Sequence, residues 1–197
     1  MSKAQYRDSM VPAQFITAVH TWNFGPVQDA NGVKTSEVSS GGMPLTLNLQ
    51  GCISPFDASS LSGGARKTLT LRLPSQWDNP FDEMEINLIK QVALKSTALF
   101  GKPLSEAELA GMYKPVSKKQ GEYPRNLRAK VNGTGFYACR YWDGERQRAE
   151  TPPDHAGLVF NAVVRLRSLW VSAEAWGLVC EATDLQILTQ ETVDCPF

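Results

Sequence analysis

The feature that most constrains the fold is an alternation of apolar and polar residues with a period of two. In the segment RKTLTLRL (66–73) the three leucines fall on one side of an extended chain, and the threonines and Arg72 fall on the other. The same alternation, or richness in β-branched and aromatic residues, predicts further strands at 14–24, 45–52, 126–131, 136–142, 157–167 and 176–188. A chain with this many short, half-buried strands is expected to be mainly β.

One segment departs from the period of two. Between residues 79 and 101 the apolar residues recur at helical spacing, with Asn79 as the predicted cap and Gly101 as the predicted end. Ser105 and Glu108 have the spacing of a capping box, which predicts a second short helix. The sequence therefore predicts a helical insertion at about 79–111.

Strands interrupted by one helical excursion favour an OB-type, closed or partly open antiparallel β-barrel with a helical insertion, because closure removes exposed sheet edges. A jelly-roll sandwich is the competing fold on pattern alone. The expected organisation is a single domain over residues 1–190, followed by an acidic tip at 191–197.

The charges are unevenly distributed in a chain whose formal net charge is zero. Between Tyr113 and Arg148 there are nine basic and three acidic residues, a local charge of +6, whereas no Lys or Arg follows Arg167 and the five acids there give −5. A basic body suggests an anionic partner. The alternative is a chance distribution of solvated surface charges.

Strand alternation predicts where the cations point. In 126–131 Arg128 and Lys130 lie opposite the apolar residues, and in 157–167 Arg165 and Arg167 do the same. In 136–142 the expected face of Arg140 also carries Phe136 and Trp142, leaving Tyr137, Cys139 and Tyr141 on the other face. If these strands are neighbours, they form a cationic sheet with aromatic rings between the charges.

Cations replace the counterions of a phosphate backbone, and exposed rings stack on unpaired bases, so this combination favours single-stranded DNA over a duplex. The alternative is that the rings are core and the arginines an ordinary solvated surface. Lys118, Lys119 and Arg125 are expected on a loop that closes over the strand, and Arg146 and Arg148 on another loop. The full set of predicted contact residues is Lys118, Lys119, Tyr123, Arg125, Arg128, Lys130, Phe136, Arg140, Trp142, Arg146, Arg148, Arg165, Arg167 and Trp170.

The chain ends in DCPF, which resembles the acidic tail ending in Pro-Phe of bacterial single-stranded-DNA-binding proteins. The rest is similar to phage-encoded single-stranded-DNA-binding proteins with an OB fold, over about residues 66–197. The segments YPRNLRAKVN, YWDGERQR and VVRLRSLWV carry this resemblance. It implies a role beside replication and recombination proteins, which the tip residues Asp194, Pro196 and Phe197 would recruit. The rival function is a viral structural or protein-interaction module of sandwich type.

No enzyme motif is present, and no cofactor or metal site is predicted from the scattered cysteines and two histidines. His155, next to Asp154, would need catalytic partners that the sequence does not identify. The first residues, MSKAQYRDSM, lack the apolar region of a signal peptide, and no apolar run is long enough to span a membrane. The expected location is the cytoplasm, that of an infected host cell if the phage resemblance holds.

Overall fold

The structure is a computed structural model that describes residues 12–30, 32–60 and 64–188. Within these residues there are four α-helices and twelve strands. The helices are α1 (Pro12–Ala18), α2 (Asp78–Leu94), α3 (Ser96–Phe100) and α4 (Glu106–Met112). The first six strands are β1 (Trp22–Phe24), β2 (Gln28–Ala30), β3 (Val33–Ser40), β4 (Met43–Ile53), β5 (Arg66–Arg72) and β6 (Tyr113–Lys114). The last six are β7 (Ser117–Gln120), β8 (Tyr123–Asn132), β9 (Arg140–Trp142), β10 (Arg148–Ala149), β11 (Val159–Val171) and β12 (Trp176–Leu188).

The strands close into a barrel. β4 pairs with β5, β5 with β8, β8 with β12, β12 with β11, and β11 returns to β4. β3 pairs with both β11 and β4, so the ring has six strands when β3 is counted. The prediction of a mainly β, OB-like barrel with a helical insertion is confirmed, and the sandwich alternative does not describe this pairing. Closure between β8 and β12 is parallel, at Lys130 and Glu181, so the barrel is mixed rather than wholly antiparallel.

The barrel core follows the predicted alternation. Leu45, Leu47 and Leu49 of β4 are fully buried, as are Leu69 and Leu71 of β5. The polar residues between them point outward or lie at intermediate exposure. At about 25 cal/mol per Å² of apolar surface, each buried leucine contributes roughly 2 kcal/mol of transfer free energy to this core.

The helices lie between β5 and β6 and pack on the same core. α2 buries Phe81, Met84, Leu88 and Val92, a spacing that lines one face of a helix. The predicted Asn79 cap is wrong: α2 begins at Asp78, two residues earlier than this cap implies, and Trp77 at the N-cap position makes no side-chain cap. The capping box of Ser105 and Glu108 is present at the start of α4.

The predicted strand at 14–24 is mostly helical. Residues Pro12–Ala18 form α1, Val19–Thr21 form a 3₁₀ turn, and only Trp22–Phe24 are extended. Phe15 is buried against Trp77 and Phe81, with ring centroids 6.0 and 5.7 Å away. This tertiary packing outweighs the local preference of β-branched and aromatic residues for strands.

Across residues 12–30, 32–60 and 64–188, no helix has the length and apolar character needed to cross a membrane.

Candidate nucleic-acid interface

The outward side of the β5–β8 ladder alternates between cationic and neutral polar residues. Arg66 lies opposite Asn132, Thr68 opposite Lys130, Thr70 opposite Arg128, and Arg72 opposite Asn126. Paired side chains of antiparallel strands lie on the same side of the sheet. Every outward charged residue of these two strands is therefore a cation.

Lys130 shows how close these charges are. Its ammonium donates a hydrogen bond to Thr68 Oγ1 at 2.8 Å. Partial burial lowers the pKa of Lys130, and the positive charges of Arg66 and Arg128 lower it further. An anion placed here would relieve this crowding of like charges.

Two further arginines reach this surface from β11. Arg165 pairs in register with Glu181 of β12, and Glu181 pairs in turn with Lys130 of β8. Glu181 also accepts hydrogen bonds from Arg66 at 3.2 Å and from Arg167 at 2.5 Å. We call the six cations gathered around this carboxylate and along the β5–β8 ladder the cationic face: Arg66, Arg72, Arg128, Lys130, Arg165 and Arg167.

Arg165 carries a buried, unsatisfied donor. Its Nε is enclosed and has no hydrogen-bond partner within the part of the chain that the structure describes. Its Cα neighbours across the sheet are Thr46 on one side and Glu181 on the other. A buried guanidinium N–H without a partner is costly, and an incoming oxygen acceptor would satisfy it.

Two exposed rings stand beside the cationic face. Phe136 is 95% and Tyr137 62% exposed, and their centroids are 5.2 Å apart in an edge-to-face arrangement. We call them the aromatic pair. Arg167 lies 5.7 Å from the centre of the Tyr137 ring, and Asn132 Nδ2 donates to the Tyr137 carbonyl at 3.5 Å.

The predicted strand at 136–142 begins only at Arg140, because residues 133–139 form a turn and loop with Gly135 at φ 84°. The predicted separation of Phe136 and Tyr137 onto opposite faces is therefore wrong, and both rings are exposed. Cys139 and Tyr141 are buried, as the alternation predicts. Burial raises the pKa of the Cys139 thiol to about 12, so this cysteine is not a reactive thiolate at neutral pH.

Arg125 is not on a closing loop. It lies in β8, is 3% exposed, and forms ion pairs with Asp78 and Asp82 at the start of α2. It also donates to Ser117 Oγ at 3.1 Å. Arg125 has the same parity as Leu127, so it points to the inside, and its predicted contact with phosphates is corrected to a structural role.

The lysine-rich segment is a strand rather than a loop. Residues Ser117–Gln120 form β7, which pairs with β8, so Lys118 and Lys119 have fixed positions on a hairpin. Lys119 forms an ion pair with Asp78 at 2.6 Å. Tyr123, at the start of β8 beyond this hairpin's turn, is 74% exposed.

A second cluster of charged and aromatic side chains lies around β9. Asp184 of β12 accepts from Arg140 at 2.7 Å and from Trp142 Nε1 at 3.0 Å. The guanidinium of Arg148 lies 5.5 Å from the Trp142 ring and covers part of one ring face. The charge of Arg140 is thus neutralised within the protein, and Trp142 is half-buried instead of open for stacking.

The two remaining predicted residues lie away from the ladder. Arg146 is exposed in the turn after β9 and has a left-handed backbone, with φ 65°. Trp170 is partly buried and packs over Gly177, where an added Cβ would lie 3.0 Å from the indole Nε1. Trp170 therefore packs partly on its neighbouring strand.

His155 is held by two hydrogen-bond partners that the sequence does not identify. The Tyr141 hydroxyl lies 2.8 Å from its Nε2, and Asp57 Oδ1 lies 2.8 Å from its Nδ1. The hydrogen bond to His155 lowers the pKa of Asp57 to about 2. Because His155 and Tyr141 are both buried, this network joins the 54–60 loop to the barrel wall.

No family model matches the sequence, and a search of curated proteins found no match. The chain is similar to solved phage single-stranded DNA-binding proteins. The protein from bacteriophage Enc34 in complex with ssDNA is 13% identical, with a TM-score of 0.46 over 84% of this chain and 94% of that chain. A C-terminal truncation of that protein gives the same identity and TM-score, over 84% and 95%. The protein gp2.5 of bacteriophage T7 is 11% identical, with a TM-score of 0.47 over 74% and 86%.

The predicted set misses four residues of this surface: Arg66, Arg72, Tyr137 and Glu181. The signal for the two arginines is present in RKTLTLRL, whose alternation puts both opposite the leucines. The predicted strand places Tyr137 on the inner face, but the observed strand begins only at Arg140. Nothing in the sequence shows that β12 lies between β8 and β11, and so the place of Glu181 depends on the barrel closure. Asp194, Pro196 and Phe197 lie outside the described residues.

Proposed function

We propose that this protein binds single-stranded DNA without strong sequence preference, through the cationic face and the aromatic pair. The observation that carries the proposal is the β5–β8 ladder, where every outward charged residue is a cation and two exposed rings stand at one end. Cations displace condensed counterions from phosphates, and this supplies affinity that does not depend on base sequence.

The exposed rings are the basis for the proposed preference for single-stranded over double-stranded DNA. Phe136 and Tyr137 present open faces, and base stacking on such faces contributes roughly 1–3 kcal/mol per base. A duplex buries its base faces in its own stack, so it would gain only the electrostatic part. The proposed ligand is therefore an unpaired strand.

The proposed roles differ along the surface. Arg72, Arg128, Lys130 and Arg165 of the cationic face contact phosphates, whereas Arg66 and Arg167 are held by Glu181. The aromatic pair stacks on bases. Tyr123 is a further stacking residue at the other end of β8. Lys118, Lys119, Arg140, Trp142, Arg146, Arg148 and Trp170 are secondary contacts, because several are already paired within the protein. Binding, not catalysis, is the proposed activity.

A titration of a labelled oligothymidylate, followed by fluorescence anisotropy at several salt concentrations, tests this proposal. The expected affinity falls linearly with salt on logarithmic axes. The slope is about −3 if the four cations of the cationic face that have no carboxylate partner among the described residues each release counterions. A duplex of the same length should compete poorly. Absence of binding at low salt, or equal affinity for the duplex, would contradict the proposal.

A role in DNA replication or recombination is a finer proposal. It rests on the sequence resemblance and on the Pro-Phe end, with Asp194, Pro196 and Phe197 as the residues that would recruit partner proteins. An acidic tip with a terminal ring fits a basic-rimmed apolar pocket on another protein. On this proposal the protein acts in the cytoplasm of an infected host cell.

A further inference from the structure

A cleft lies at the end of the β5–β8 ladder opposite to the aromatic pair. It has a volume of about 500 Å³. Its walls come from the end of β4, the residues that follow β5, and the β7–β8 hairpin. Its lining includes the side chains of Ile53, Arg72, Lys119 and Tyr123.

The cleft combines a flat ring, an apolar wall and four charged side chains, of which two are cations and two are carboxylates. Tyr123 is 74% exposed and Ile53 is also exposed, so both offer open apolar surface. Arg72 is exposed and forms no ion pair with any residue of the described segments. Lys119 forms an ion pair with Asp78 at 2.6 Å. The second carboxylate that lines the cleft is that of Glu122. An unstacked base with its phosphate toward Arg72 fits this chemistry.

The cleft is continuous with the cationic face, because Arg72 belongs to both. In the ladder Arg72 lies opposite Asn126, and the next outward pair is Thr70 with Arg128. From Tyr123 to Asn132 β8 advances nine residues, which at about 3.3 Å per residue is roughly 30 Å. Asn132 contacts Tyr137, so the two exposed aromatic sites are separated by about this length.

We propose that the cleft lined by Tyr123 is a second nucleotide-binding subsite for the same DNA strand. It is occupied only when the strand is long enough to reach it. The inference rests on the proposed function. The aromatic pair is the first subsite, because Arg66 and Lys130 lie at its end of the ladder and Arg167 lies 5.7 Å from the centre of the Tyr137 ring. A stacked strand rises about 3.4 Å per nucleotide, so about nine nucleotides span the 30 Å, and an extended strand needs fewer.

The test compares Tyr123→Ala with wild type on oligothymidylates of about 3 and about 12 nucleotides, below and within the usual site size of one OB fold. On the longer oligonucleotide the variant should bind about 5- to 150-fold more weakly. On the shorter one the two proteins should have the same affinity. Tyr137→Ala is the matched control and should weaken the binding of both lengths.

The outcomes separate this inference from the proposed function. If wild type binds the longer oligonucleotide and Tyr123→Ala binds it equally well, the second subsite and the stacking role of Tyr123 are wrong, and binding through the cationic face and the aromatic pair stands. If Tyr123→Ala weakens the binding of both oligonucleotides equally, Tyr123 is part of the first subsite and the inference also fails. If neither oligonucleotide binds wild type, the proposed function fails. A second variant, Arg72→Gln, should repeat the length dependence without removing a ring.

Discussion

Arg167 donates a hydrogen bond to the buried carboxylate of Glu181 at 2.5 Å while its guanidinium lies 5.7 Å from the centre of the Tyr137 ring. Glu181 also accepts from Arg66 at 3.2 Å and from Asn132 at 3.4 Å. A carboxylate in the middle of a phosphate-binding surface has two opposing effects. It holds the guanidinium groups in position, and it neutralises part of the charge that DNA would otherwise meet.

Replacing Glu181 by Gln should therefore strengthen binding to single-stranded DNA at low salt. The amide keeps the size of the side chain and releases Arg66 and Arg167 for phosphates. The salt dependence should steepen by about 1.4, which is two extra contacts at about 0.7 each. Anisotropy titrations over a salt series measure both quantities. Glu174→Gln, an exposed site with the same change in charge, is the control. Unchanged or weaker binding by a folded Glu181→Gln variant would show that the carboxylate does not restrain these cations.

Arg128→Gln and Lys130→Gln should each weaken binding and flatten the salt dependence by about 0.7. Both side chains point outward on β8, where Lys130 already has its pKa lowered by burial and by the neighbouring Arg66 and Arg128. The comparison variant is Lys90→Gln on the exposed side of α2. The same loss of affinity in all three proteins would mean that net charge, rather than the cationic face, decides binding.

Phe136→Ala and Tyr137→Ala should each lower the affinity by roughly 1–3 kcal/mol with little change in the salt dependence, because a stack is not an ion contact. Both rings are exposed, so thermal unfolding should be almost unchanged. Leu94→Ala removes an exposed apolar side chain from the end of α2 and serves as the control. If the affinity survives both aromatic substitutions, stacking contributes nothing at this loop and the preference for an unpaired strand loses its physical basis.

Much of the barrel follows from the period of two. The alternation in 66–73 and 126–131 correctly predicts that the leucines of both strands are buried. It also predicts that Arg128 and Lys130 point outward. Local geometry dictates this result, because successive side chains of a strand point to opposite faces. The same rule misplaces Tyr137, because parity is meaningful only as far as the strand extends. Tyr137 lies in the turn between the end of β8 at Asn132 and the start of β9 at Arg140, where Gly135 has a left-handed φ of 84°.

The rest depends on tertiary contacts that no local pattern contains. Arg125 precedes the predicted strand and resembles one more cation of a basic segment, but the acids of α2 pair with it in the folded protein. The helix α1 looks like a strand in sequence and becomes helical where Phe15 packs on Trp77. Glu181 joins the cationic face only because β12 lies between β8 and β11.

Arg125→Met should destabilise the fold rather than act on DNA binding directly. The substitution removes the Arg125 contact from Asp78, which keeps its ion pair with Lys119, and it removes the ion pair with Asp82 and the hydrogen bond to Ser117. Loss of a hydrogen bond to a charged group costs about 1.5–3 kcal/mol, and we expect a cost within this range because the carboxylate left at Asp82 is largely solvated. Urea unfolding measures the change. Any folded fraction should keep the salt dependence of wild type, and a flatter salt dependence would return Arg125 to the phosphate-binding set.

The Asp57–His155 contact predicts a pH dependence of stability. The bond to His155 lowers the pKa of Asp57 to about 2, below an unfolded value near 3.9. For a carboxyl whose pKa is lowered by folding, the stabilisation is complete above the unfolded pKa and is lost as pH falls toward the folded pKa. Asp57→Ala should therefore cost about 1–3 kcal/mol at neutral pH, because it leaves buried donors of His155 without an acceptor.

The difference in unfolding free energy between wild type and Asp57→Ala should shrink as the pH falls from about 4 to about 2. Urea titrations at closely spaced pH values measure this difference, and the comparison cancels the titration of the other carboxyl groups. Asp57→Asn keeps an acceptor oxygen but has no charge to titrate, so its stability relative to Asp57→Ala should stay constant over the same range. A difference between wild type and Asp57→Ala that does not change with pH would mean that the charge of Asp57 contributes nothing to the loop network.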